Sequence, residues 1–382
     1  MKIIYCIHGT FNSGGMERIL ANKAIFLSRH GHQVVILTTE QKGREPFLPL
    51  PKEVRAIDLG INYSETSGHN VFARQIMLRD KRRKHKELLQ KVLMDERADI
   101  VVSMYSTEMP FLPYINDGSR KILEIHFAKS FHTDMMRSRH GNNLFFKAVA
   151  KYRSKRDNRH IKAYDRFVVL TDEDRKDWGD SFQNIISVPN FIGNYPDKQA
   201  DYSSKRVICV GRHNYQKGMD FLIETWSRTA PMHPDWKLAI VGGGEDMEKN
   251  RALAEKLGVS ASIDFIPPTK HIAEEYLKSS IYVMSSRYEG LPMVLIEAMS
   301  CGLPCVSFAC KCGPKDIISD GKNGLLIDRV GDTEALSMAL SALMSDEALR
   351  QTMGKEAQNR AKDFSEEKIM SRWMTLFDDL RQ

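Results

Sequence analysis

The sequence has 382 residues, of which 42% are hydrophobic, 27% charged and 9% aromatic. This composition excludes a disordered or collagen-like chain, and the length exceeds what one hydrophobic core usually serves, so we expect two domains. The formal net charge of +7 is unevenly divided. Residues 1–190 contain 32 Lys and Arg against 22 Asp and Glu, a net charge of +10, whereas residues 191–382 carry a net charge of −3.

The sequence shows no pattern typical of a signal peptide, a membrane-spanning helix or a zinc site. The apolar run at residues 3–7 is too short for the core of a signal peptide, and no run approaches the roughly 18 apolar residues of a membrane-spanning helix. We therefore expect a cytoplasmic protein. Four of the six cysteines cluster, but their spacing lacks the paired C-x-x-C of common zinc sites, so we expect no metal there. These four are Cys301, Cys305, Cys310 and Cys312.

Short apolar runs alternate with segments of helical spacing along both halves of the chain. In the first half a helix is predicted at 16–30, and strands are predicted at 2–7, 33–38, 100–103, 121–125, 167–171 and 185–188. In the second half strands are predicted at 206–210, 237–241, 263–266, 281–285, 304–308 and 324–327. Helices are predicted there at 218–229, 248–257, 272–277, 292–300, 333–344, 347–362 and 366–380.

Continuous apolar strands separated by helices are what a parallel sheet covered on both faces requires. We therefore predict an α/β protein with two Rossmann-like domains facing each other across a cleft. The predicted organisation is an N-terminal domain at 1–190, a linker rich in Pro, Gly and Asn at 191–204, a C-terminal domain at 205–364, and a final helix at 365–382 that packs back toward the N-terminal domain.

Ligands of open parallel sheets bind beyond the carboxyl ends of the strands, so the loops there are the first candidates for a site. The loop after the first strand, residues 8–15, ends in Gly14 and Gly15 before a helix, where backbone amides can approach an anion. It is not a Walker A loop, because Met16 stands where a lysine is needed. A plain glycine-rich turn is the alternative interpretation.

The loop after the first strand of the second half carries two cations, Arg212 and Lys217, just before a helix. A planar guanidinium and a point charge beside a helix N-terminus suit a diphosphate, although solvated surface charge is the simpler explanation of two basic residues alone. Further on, Glu289 follows a strand and Glu297 lies in the helix that we expect to begin at Pro292. Because Glu297 has apolar neighbours, it should have a partner, either ligand hydroxyls or a nearby backbone group.

Three motifs together resemble the retaining glycosyltransferases of family 4, also called glycosyl transferases group 1. They are E-G-L-P-x-V-L-I-E-A-M at 289–299, G-R-x-x-x-x-K-G at 211–218 and G-G-M-E-R at 14–18. The resemblance implies the GT-B fold, a nucleotide-sugar donor and no cofactor. It is strongest from Val207 to Asp328 and weaker over the basic first half.

The resemblance also implies roles for single residues. Arg212 and Lys217 would neutralise the diphosphate, and Glu297 would accept hydrogen bonds from the ribose. Glu289 and His126 would contact the transferred sugar, so that His126, Glu289, Arg212 and Lys217 form the catalytic set. The other residues expected around the donor are Gly14, Gly15, Ile266, Pro267, Gly290, Leu291, Pro292, Met293 and Val294, with Ile266 and Pro267 near the nucleobase.

A D-x-D sequence at Asp172-Glu173-Asp174 resembles the metal motif of a different glycosyltransferase fold. Here it opens a predicted helix directly after a strand, with Thr171 positioned to cap that helix. We therefore interpret it as a helix cap and expect activity without a metal ion.

Two segments concentrate the positive charge of the first half. Residues 74–91 have a net charge of +6, and residues 137–166 have a net charge of +8 with Leu144, Phe145, Phe146, Val149 and Tyr152 interleaved. Basic helices with apolar residues are typical of membrane-surface elements, although a solvated helix face with core-packed aromatics would give the same pattern. We expect an anionic membrane surface as a partner.

The predicted function is transfer of a hexosyl or N-acetylhexosaminyl unit, with a UDP-sugar favoured as donor, to a glycan or lipid-linked acceptor in cell-surface polysaccharide biosynthesis. A nucleotide-sugar epimerase of the same fold is one alternative. A basic nucleic-acid-binding protein is another, but it would leave both glutamates and the glycine-rich loops unexplained. The chain also lacks the G-x-G-x-x-G of a dinucleotide-dependent dehydrogenase.

Overall fold

The computed structural model describes residues 1–12, 14–130, 144–193 and 198–382, with the backbone alone at residues 144–151 and 153. The chain divides into two units, which do not follow the chain order strictly. Unit 1 comprises Met1–Leu170, Arg175–Val188 and Met370–Gln382, and unit 2 comprises Thr171–Asp174 and Pro189–Ile369. Part of the predicted linker, residues 194–197, lies outside the described residues.

Unit 1 is built on a seven-stranded parallel sheet with the strand order β3-β2-β1-β4-β5-β6-β7. Its strands are β1 (Lys2–Ile7), β2 (Gln33–Thr38), β3 (Arg55–Asp58), β4 (Ile100–Ser103), β5 (Arg120–Glu124), β6 (Arg166–Val169) and β7 (Ile185–Ser187). Its helices are α1 (Gly15–Arg29), α2 (Val71–Glu96) and α3 (Leu144–Ile161), followed by α4 (Asp172–Trp178), which begins in unit 2.

Strand β1 is an interior strand of this sheet, and its Ile3 pairs with Val34 on one side and Ile100 on the other. The alternation of buried apolar strands with helices produces the predicted parallel arrangement. The edge strand β3 is absent from the sequence prediction because its four residues, Arg55 to Asp58, are mostly exposed and include two charged side chains. Such a segment carries no apolar run that would indicate a strand.

Unit 2 contains a six-stranded parallel sheet with the order β10-β9-β8-β11-β12-β13. Its strands are β8 (Arg206–Val210), β9 (Lys237–Val241), β10 (Ile263–Ile266), β11 (Ile281–Met284), β12 (Cys305–Phe308) and β13 (Gly324–Ile327). Its helices are α5 (Met219–Thr229), α6 (Met247–Lys256), α7 (Ile272–Leu277), α8 (Met293–Ser300), α9 (Pro314–Ile317), α10 (Thr333–Ser345) and α11 (Glu347–Ala361), and α12 (Glu366–Arg381) runs from unit 2 into unit 1.

The core of unit 2 is closed by large side chains whose polar atoms are satisfied internally. Trp226 is fully buried, and its indole Nε1 donates to Ser262 Oγ at 2.9 Å. The buried guanidinium of Arg350 donates to the carbonyl oxygens of Tyr202 and Leu343 at 2.8 and 2.7 Å. Because buried donors are costly when unpaired, these bonds hold α5 and α11 to the segments packed beside them.

The end of the chain contributes to the core of unit 1. Trp373 and Phe377 of α12 are fully buried. Two hydrogen bonds from arginine side chains to backbone carbonyls hold this segment. Arg372 Nη2 donates to the Ser187 carbonyl at 2.5 Å, and Arg120 Nε donates to the Leu380 carbonyl at 2.9 Å. Unit 1 is therefore assembled from segments far apart in sequence.

The structure bears on two further sequence expectations. Among the described residues, no helix combines the length and the apolar character needed to cross a bilayer. The four clustered cysteines are buried free thiols, and Cys305 Sγ lies 3.5 Å from the Leu303 carbonyl oxygen. Burial raises the pKa of the Cys305 and Cys301 thiols, the latter to about 11, so both are neutral at physiological pH.

Candidate functional site

The candidate site of unit 2 lies where the central strands β8 and β11 end. These strands are paired in parallel, with Val207 opposite Ile281 and Ile208 opposite Tyr282. Parallel pairing brings the carboxyl ends of both strands to the same edge of the sheet. The loop that carries Lys217 and the loop that carries Glu289 therefore emerge side by side.

The lysine loop is held against the end of β11 by its backbone. The Asn214 side chain accepts a hydrogen bond from the Lys217 amide at 3.2 Å and so caps the short turn at Tyr215–Lys217. Gly218 follows with a φ of +60°, and a Cβ there would lie 2.2 Å from the Ser285 carbonyl oxygen. Only glycine fits this position, which explains the glycine after the lysine in the motif.

Lys217 and Glu289 form an ion pair in this structure. Lys217 Nζ lies 2.7 Å from Glu289 Oε1, and Ser286 Oγ donates to the same oxygen at 2.6 Å. Gln216 Nε2 lies 3.5 Å from the second carboxylate oxygen. Glu289 is only 6% exposed, whereas the Lys217 side chain remains partly accessible. The lysine thus has donor capacity left for an anion that enters from solvent. Ser286 and Gln216 are not among the predicted site residues.

Arg212 does not join this ion pair. Its side chain is exposed, and no described acidic group lies within salt-bridge distance of it. Its backbone carbonyl accepts a hydrogen bond from the Asn214 amide at 3.0 Å, so the loop itself is ordered. The second predicted cation is therefore accessible to an anion without breaking an internal contact.

A residue that the sequence prediction missed, Arg287, braces the two loops. Its guanidinium donates to both carboxylate oxygens of Asp220, at 2.8 and 2.5 Å, and to the Tyr215 carbonyl at 2.8 Å. It also lies 4.0 Å above the ring of Phe221. Burial opposes the ionisation of Asp220, but Arg287 outweighs it and lowers the pKa of that carboxyl. A bidentate pair between a guanidinium and a carboxylate fixes the loop of Arg287 relative to the segment that carries Tyr215 and Asp220.

Glu297 has a hydrogen-bond partner, as expected for a carboxylate among apolar neighbours. The buried hydroxyl of Tyr276, on α7, donates to Glu297 Oε2 at 3.2 Å. Burial, and then the charge of Glu297, raises the pKa of Tyr276, which stays a neutral donor. The sequence interpretation considered ligand hydroxyls or a backbone group, and the observed partner is a side chain from another helix.

The segment between Glu289 and Glu297 packs closely against the loop after β12. Helix α8 begins at Met293, one residue later than predicted, with Pro292 at its N-cap. Gly313 has a φ of +97°, and a Cβ there would lie 2.2 Å from Pro292 Cδ. Leu291 and Pro292 are buried, whereas the predicted neighbours Gly290, Met293 and Val294 are partly exposed. Their backbone therefore lies at the surface beside Glu289.

The residues predicted near a nucleobase lie at the end of β10, at the same edge of the sheet. Ile266 is half-buried and Pro267 is exposed. The Ile266 carbonyl accepts a hydrogen bond from the Gly242 amide at 2.9 Å. The glycine run that follows β9 thus adjoins this position.

This glycine run was not among the predicted site residues, although three consecutive glycines are a visible signal. A Cβ at Gly242 would lie 1.9 Å from the Gly211 carbonyl oxygen, and a Cβ at Gly244 would lie 2.4 Å from the His213 carbonyl oxygen. The loops after β8 and β9 therefore touch backbone to backbone, which any side chain would prevent.

Gly14, Gly15 and His126 belong to unit 1, and the other predicted residues belong to unit 2. Gly14 is the N-cap of α1, where a Cβ would lie 2.2 Å from Glu17 Oε2, while a Cβ at Gly15 would meet open space. His126 lies two residues beyond β5, and its Nε2 is 3.0 Å from Glu124 Oε1. The glycines follow the carboxyl end of β1 and His126 follows that of β5, and β4 lies between these two strands.

The D-x-D sequence lies at the start of α4, as the helix-cap interpretation requires. Thr171 Oγ1 accepts a hydrogen bond from the Asp174 amide at 3.0 Å, which confirms the cap. The Asp172 amide donates to Asp316 Oδ1 at 2.8 Å, and the Cys312 amide donates to Glu173 Oε2 at 3.0 Å. These residues thus hold local structure at the helix start.

Solved structures with the same architecture identify the fold. The crystal structure of Staphylococcus aureus TarM matches 98% of this chain and 98% of its own with a TM-score of 0.79 at 18% identity. Sucrose-phosphate synthase from Thermosynechococcus elongatus matches 99% of this chain and 98% of its own, also with a TM-score of 0.79 at 18% identity. With its two parallel-sheet α/β domains, this chain has the GT-B fold.

Sequence comparisons give the class of enzyme. Residues 194–360 match the family model of glycosyl transferases group 1. An uncharacterized glycosyltransferase of Haemophilus influenzae is 29% identical over 97% of this chain and 98% of its own length. The amylovoran biosynthesis glycosyltransferase AmsD of Erwinia amylovora is 28% identical over 97% of this chain and 98% of its own. Together these likenesses support a glycosyltransferase with the GT-B fold.

The backbone contact at Gly242 leads to a prediction. Gly242→Ala should separate the loops after β8 and β9, because its Cβ would overlap the Gly211 carbonyl, and we expect a loss of about 2 kcal/mol or more in the free energy of unfolding. Gly243→Ala is the matched control, since its Cβ would meet Pro268 at an ordinary distance of 3.4 Å. Chemical denaturation of both variants measures the difference. Equal stability of the two variants would contradict the proposed contact.

Proposed function

We propose that this chain is a retaining glycosyltransferase that moves a hexosyl or N-acetylhexosaminyl unit from a nucleotide sugar to a glycan or lipid-linked saccharide in cell-surface polysaccharide biosynthesis. A UDP-sugar is the favoured donor. The observation that carries the proposal is the contact between Lys217 and Glu289 at the carboxyl edge of the second sheet, with the exposed cation Arg212 on the same loop.

The charges of this site suit a sugar diphosphate. Arg212 and Lys217 would bind the two phosphates, while Glu289 and the backbone of residues 290–294 would bind the transferred sugar. When phosphate approaches, Lys217 can turn from Glu289 toward the ligand, which leaves the carboxylate free to accept sugar hydroxyls. Glu297, fixed by Tyr276, would accept hydrogen bonds from the ribose. We assign contacts with the donor to Gly14 and Gly15 and with the sugar to His126.

The reaction needs placement and charge stabilisation more than covalent work by the protein. The leaving diphosphate gains negative charge as the glycosidic bond breaks, and both cations stabilise that charge. We propose departure and attack on the same face of the sugar, with the leaving phosphate taking the acceptor proton. Such a step retains the anomeric configuration and needs no separate protein base.

Relatives indicate the chemistry of donor and acceptor. A Campylobacter jejuni relative, 25% identical over all of this chain, transfers N-acetylgalactosamine to a saccharide linked to undecaprenyl diphosphate. AmsD acts in amylovoran biosynthesis, and a TarM structure contains UDP. These names support a UDP-sugar donor and a lipid-linked or polysaccharide acceptor for this chain.

Donor binding is tested by thermal shift with UDP. Lys217→Ala and Glu297→Ala should each weaken UDP binding at least tenfold, because each removes a charged partner of the ligand; a tenfold loss corresponds to about 1.4 kcal/mol. Lys322→Ala is the control, since Lys322 forms a comparable pair with Glu356 at 3.2 Å on the exposed surface. Unchanged UDP binding in both site variants would reject this site.

The absence of a metal requirement is tested separately. Since Arg212 and Lys217 would supply the positive charge at the diphosphate, sugar transfer should retain at least half of its rate after dialysis against EDTA. The measurement is the initial rate with and without added manganese. A rate that disappears in EDTA and returns with manganese would contradict the proposed role of the two cations.

We further propose that the protein works on the cytoplasmic face of the cell membrane and docks through α2. At the start of this helix Val71 and Phe72 are 78% and 77% exposed, and Ile76 is also exposed. Phe72 and Ile76 lie on the same helical face as Arg79 and Arg83, which follow at one-turn intervals. Exposed apolar side chains beside cations suit an anionic bilayer, whose headgroups attract the arginines while the apolar groups insert.

Of the two basic segments, only the first is fully described. Residues 137–143 lie outside the described residues, as do the side chains of Leu144, Phe145, Phe146 and Val149. Tyr152 is exposed on α3. The membrane proposal therefore rests on α2.

Vesicle sedimentation tests the role of α2. The wild-type protein should bind vesicles containing phosphatidylglycerol and should bind phosphatidylcholine vesicles at least tenfold more weakly, because the arginines need anionic headgroups. The double variant Phe72→Ser, Ile76→Ser and the double variant Arg79→Glu, Arg83→Glu should both lose most of this binding. Met338→Ser, at an exposed methionine of unit 2, is the control. Equal binding to both lipids, or no effect of the α2 variants, would refute docking by this helix.

A further inference from the structure

Unit 1 contains an ion pair that is removed from solvent altogether. Lys23 on α1 is 1% exposed and Glu124 at the end of β5 is 0% exposed, and the lysine Nζ donates to Glu124 Oε1. Burial of two opposite charges costs several kcal/mol per ion in desolvation, and hydrophobic residues of similar volume often serve stability as well or better. The presence of charges here therefore calls for a reason beyond packing.

The residues around this pair stabilise Lys23 as an ammonium and Glu124 as a carboxylate. The ring of Trp373, on α12, lies 3.7 Å from Lys23 Nζ, so the ammonium is covered by an aromatic face. Burial opposes the ionisation of Glu124, but Lys23 and His126 outweigh it and lower the pKa of Glu124 to about 2. Burial also lowers the pKa of Lys23, and Glu124 opposes that change. Glu124 is thus a carboxylate at any physiological pH.

His126 contacts the same carboxylate oxygen that Lys23 contacts. Its Nε2 lies 3.0 Å from Glu124 Oε1, and its side chain is 9% exposed. Residues two apart in an extended chain lie on the same side, which explains why Glu124 can reach His126. The histidine is the residue for which we propose contact with the transferred sugar. The buried pair is therefore directly adjacent to a proposed reaction-centre residue.

We propose that Glu124, held in place by Lys23 and Trp373, is a positioning residue that fixes the ring orientation and the tautomer of His126. Glu124 Oε1 lies 3.0 Å from Nε2 outside hydrogen-bond geometry, so it is the charge of the carboxylate that favours the tautomer with the proton on Nε2. Lys23 Nζ contacts the same oxygen and compensates the charge of Glu124. The catalytic part of this inference rests on the proposed function of His126, whereas the tautomer does not.

A merely structural role makes a different prediction. If the pair only filled the core, removal of both charges together would be tolerated, because no buried charge would remain unpaired. A second buried pair in the same sheet allows a matched comparison. Lys121, on β5, contacts Asp117, and both side chains are at most 5% exposed. Lys121 lies near the start of β5 and Asp117 precedes the strand, whereas Glu124 is its last residue.

The test compares Lys23→Met, Glu124→Gln with the control Lys121→Met, Asp117→Asn by steady-state kinetics of sugar transfer. The Lys23/Glu124 double variant should lose at least tenfold in kcat, with the KM for the UDP-sugar changed less than threefold, because the donor diphosphate binds elsewhere. The control pair should keep kcat within threefold. Equal kcat values for the Lys23/Glu124 variant and the wild-type protein would overturn the proposal.

A measurement on the wild-type protein keeps the proposal testable if a variant fails to fold. The ¹⁵N signals of His126, identified by their absence in His126→Gln, report which ring nitrogen carries the proton. We expect the neutral ring to carry its proton on Nε2 in the wild-type protein and to be a mixture of tautomers in Lys23→Met, Glu124→Gln. An Nδ1-protonated ring in the wild-type protein would overturn the proposal. Should the wild-type protein transfer no sugar while the Nε2-protonated form is observed, the proposed function fails and the positioning contact stands.

Discussion

The candidate site depends on the parallel pairing of β8 with β11. These strands are neighbours at the centre of the second sheet, although β9, β10 and three helices lie between them in sequence. Their pairing brings the loops of Lys217 and Glu289 together, and the close approach of Gly218 to Ser285 then sets the distance between the loops. Arg287 holds the result by binding Asp220 across them. The Gly218–Ser285 contact and the Arg287–Asp220 pair both depend on the register of these two strands.

Much of the fold could be predicted from sequence, because buried parallel strands are apolar throughout and the helices between them are periodic. The edge strand at Arg55–Asp58 could not, since an exposed, charged strand gives no such signal. In the site, the motifs indicated Lys217, Glu289 and Glu297, but not their partners Ser286 and Tyr276. A partner is set by tertiary contact between distant segments, and a single sequence carries no local pattern for it. The Thr171 cap was predictable because both of its atoms lie within one helical turn.

The Lys217–Glu289 pair and the Lys23–Glu124 pair differ in what surrounds them. In the pair of Lys217 and Glu289 the lysine side chain is 17% exposed, so it can turn to an incoming anion while Ser286 still donates to the buried carboxylate. The pair of Lys23 and Glu124 is sealed, and separation of its charges would leave a buried ion uncompensated. The Lys217–Glu289 pair suits an interaction that changes during a reaction cycle, whereas the Lys23–Glu124 pair suits one that stays constant.

The last residues of the chain have a consequence for how the protein is made. Met370–Gln382 belongs to the first unit, and Trp373 covers the lysine of its buried pair. A ribosome delivers these residues only after all of the second unit has been synthesised. The first unit therefore cannot complete its core while it emerges, unlike an N-terminal domain that folds entirely before the rest of the chain. Burial of Trp373 and Phe377, from Met370–Gln382, is the step that completes the folding of this unit.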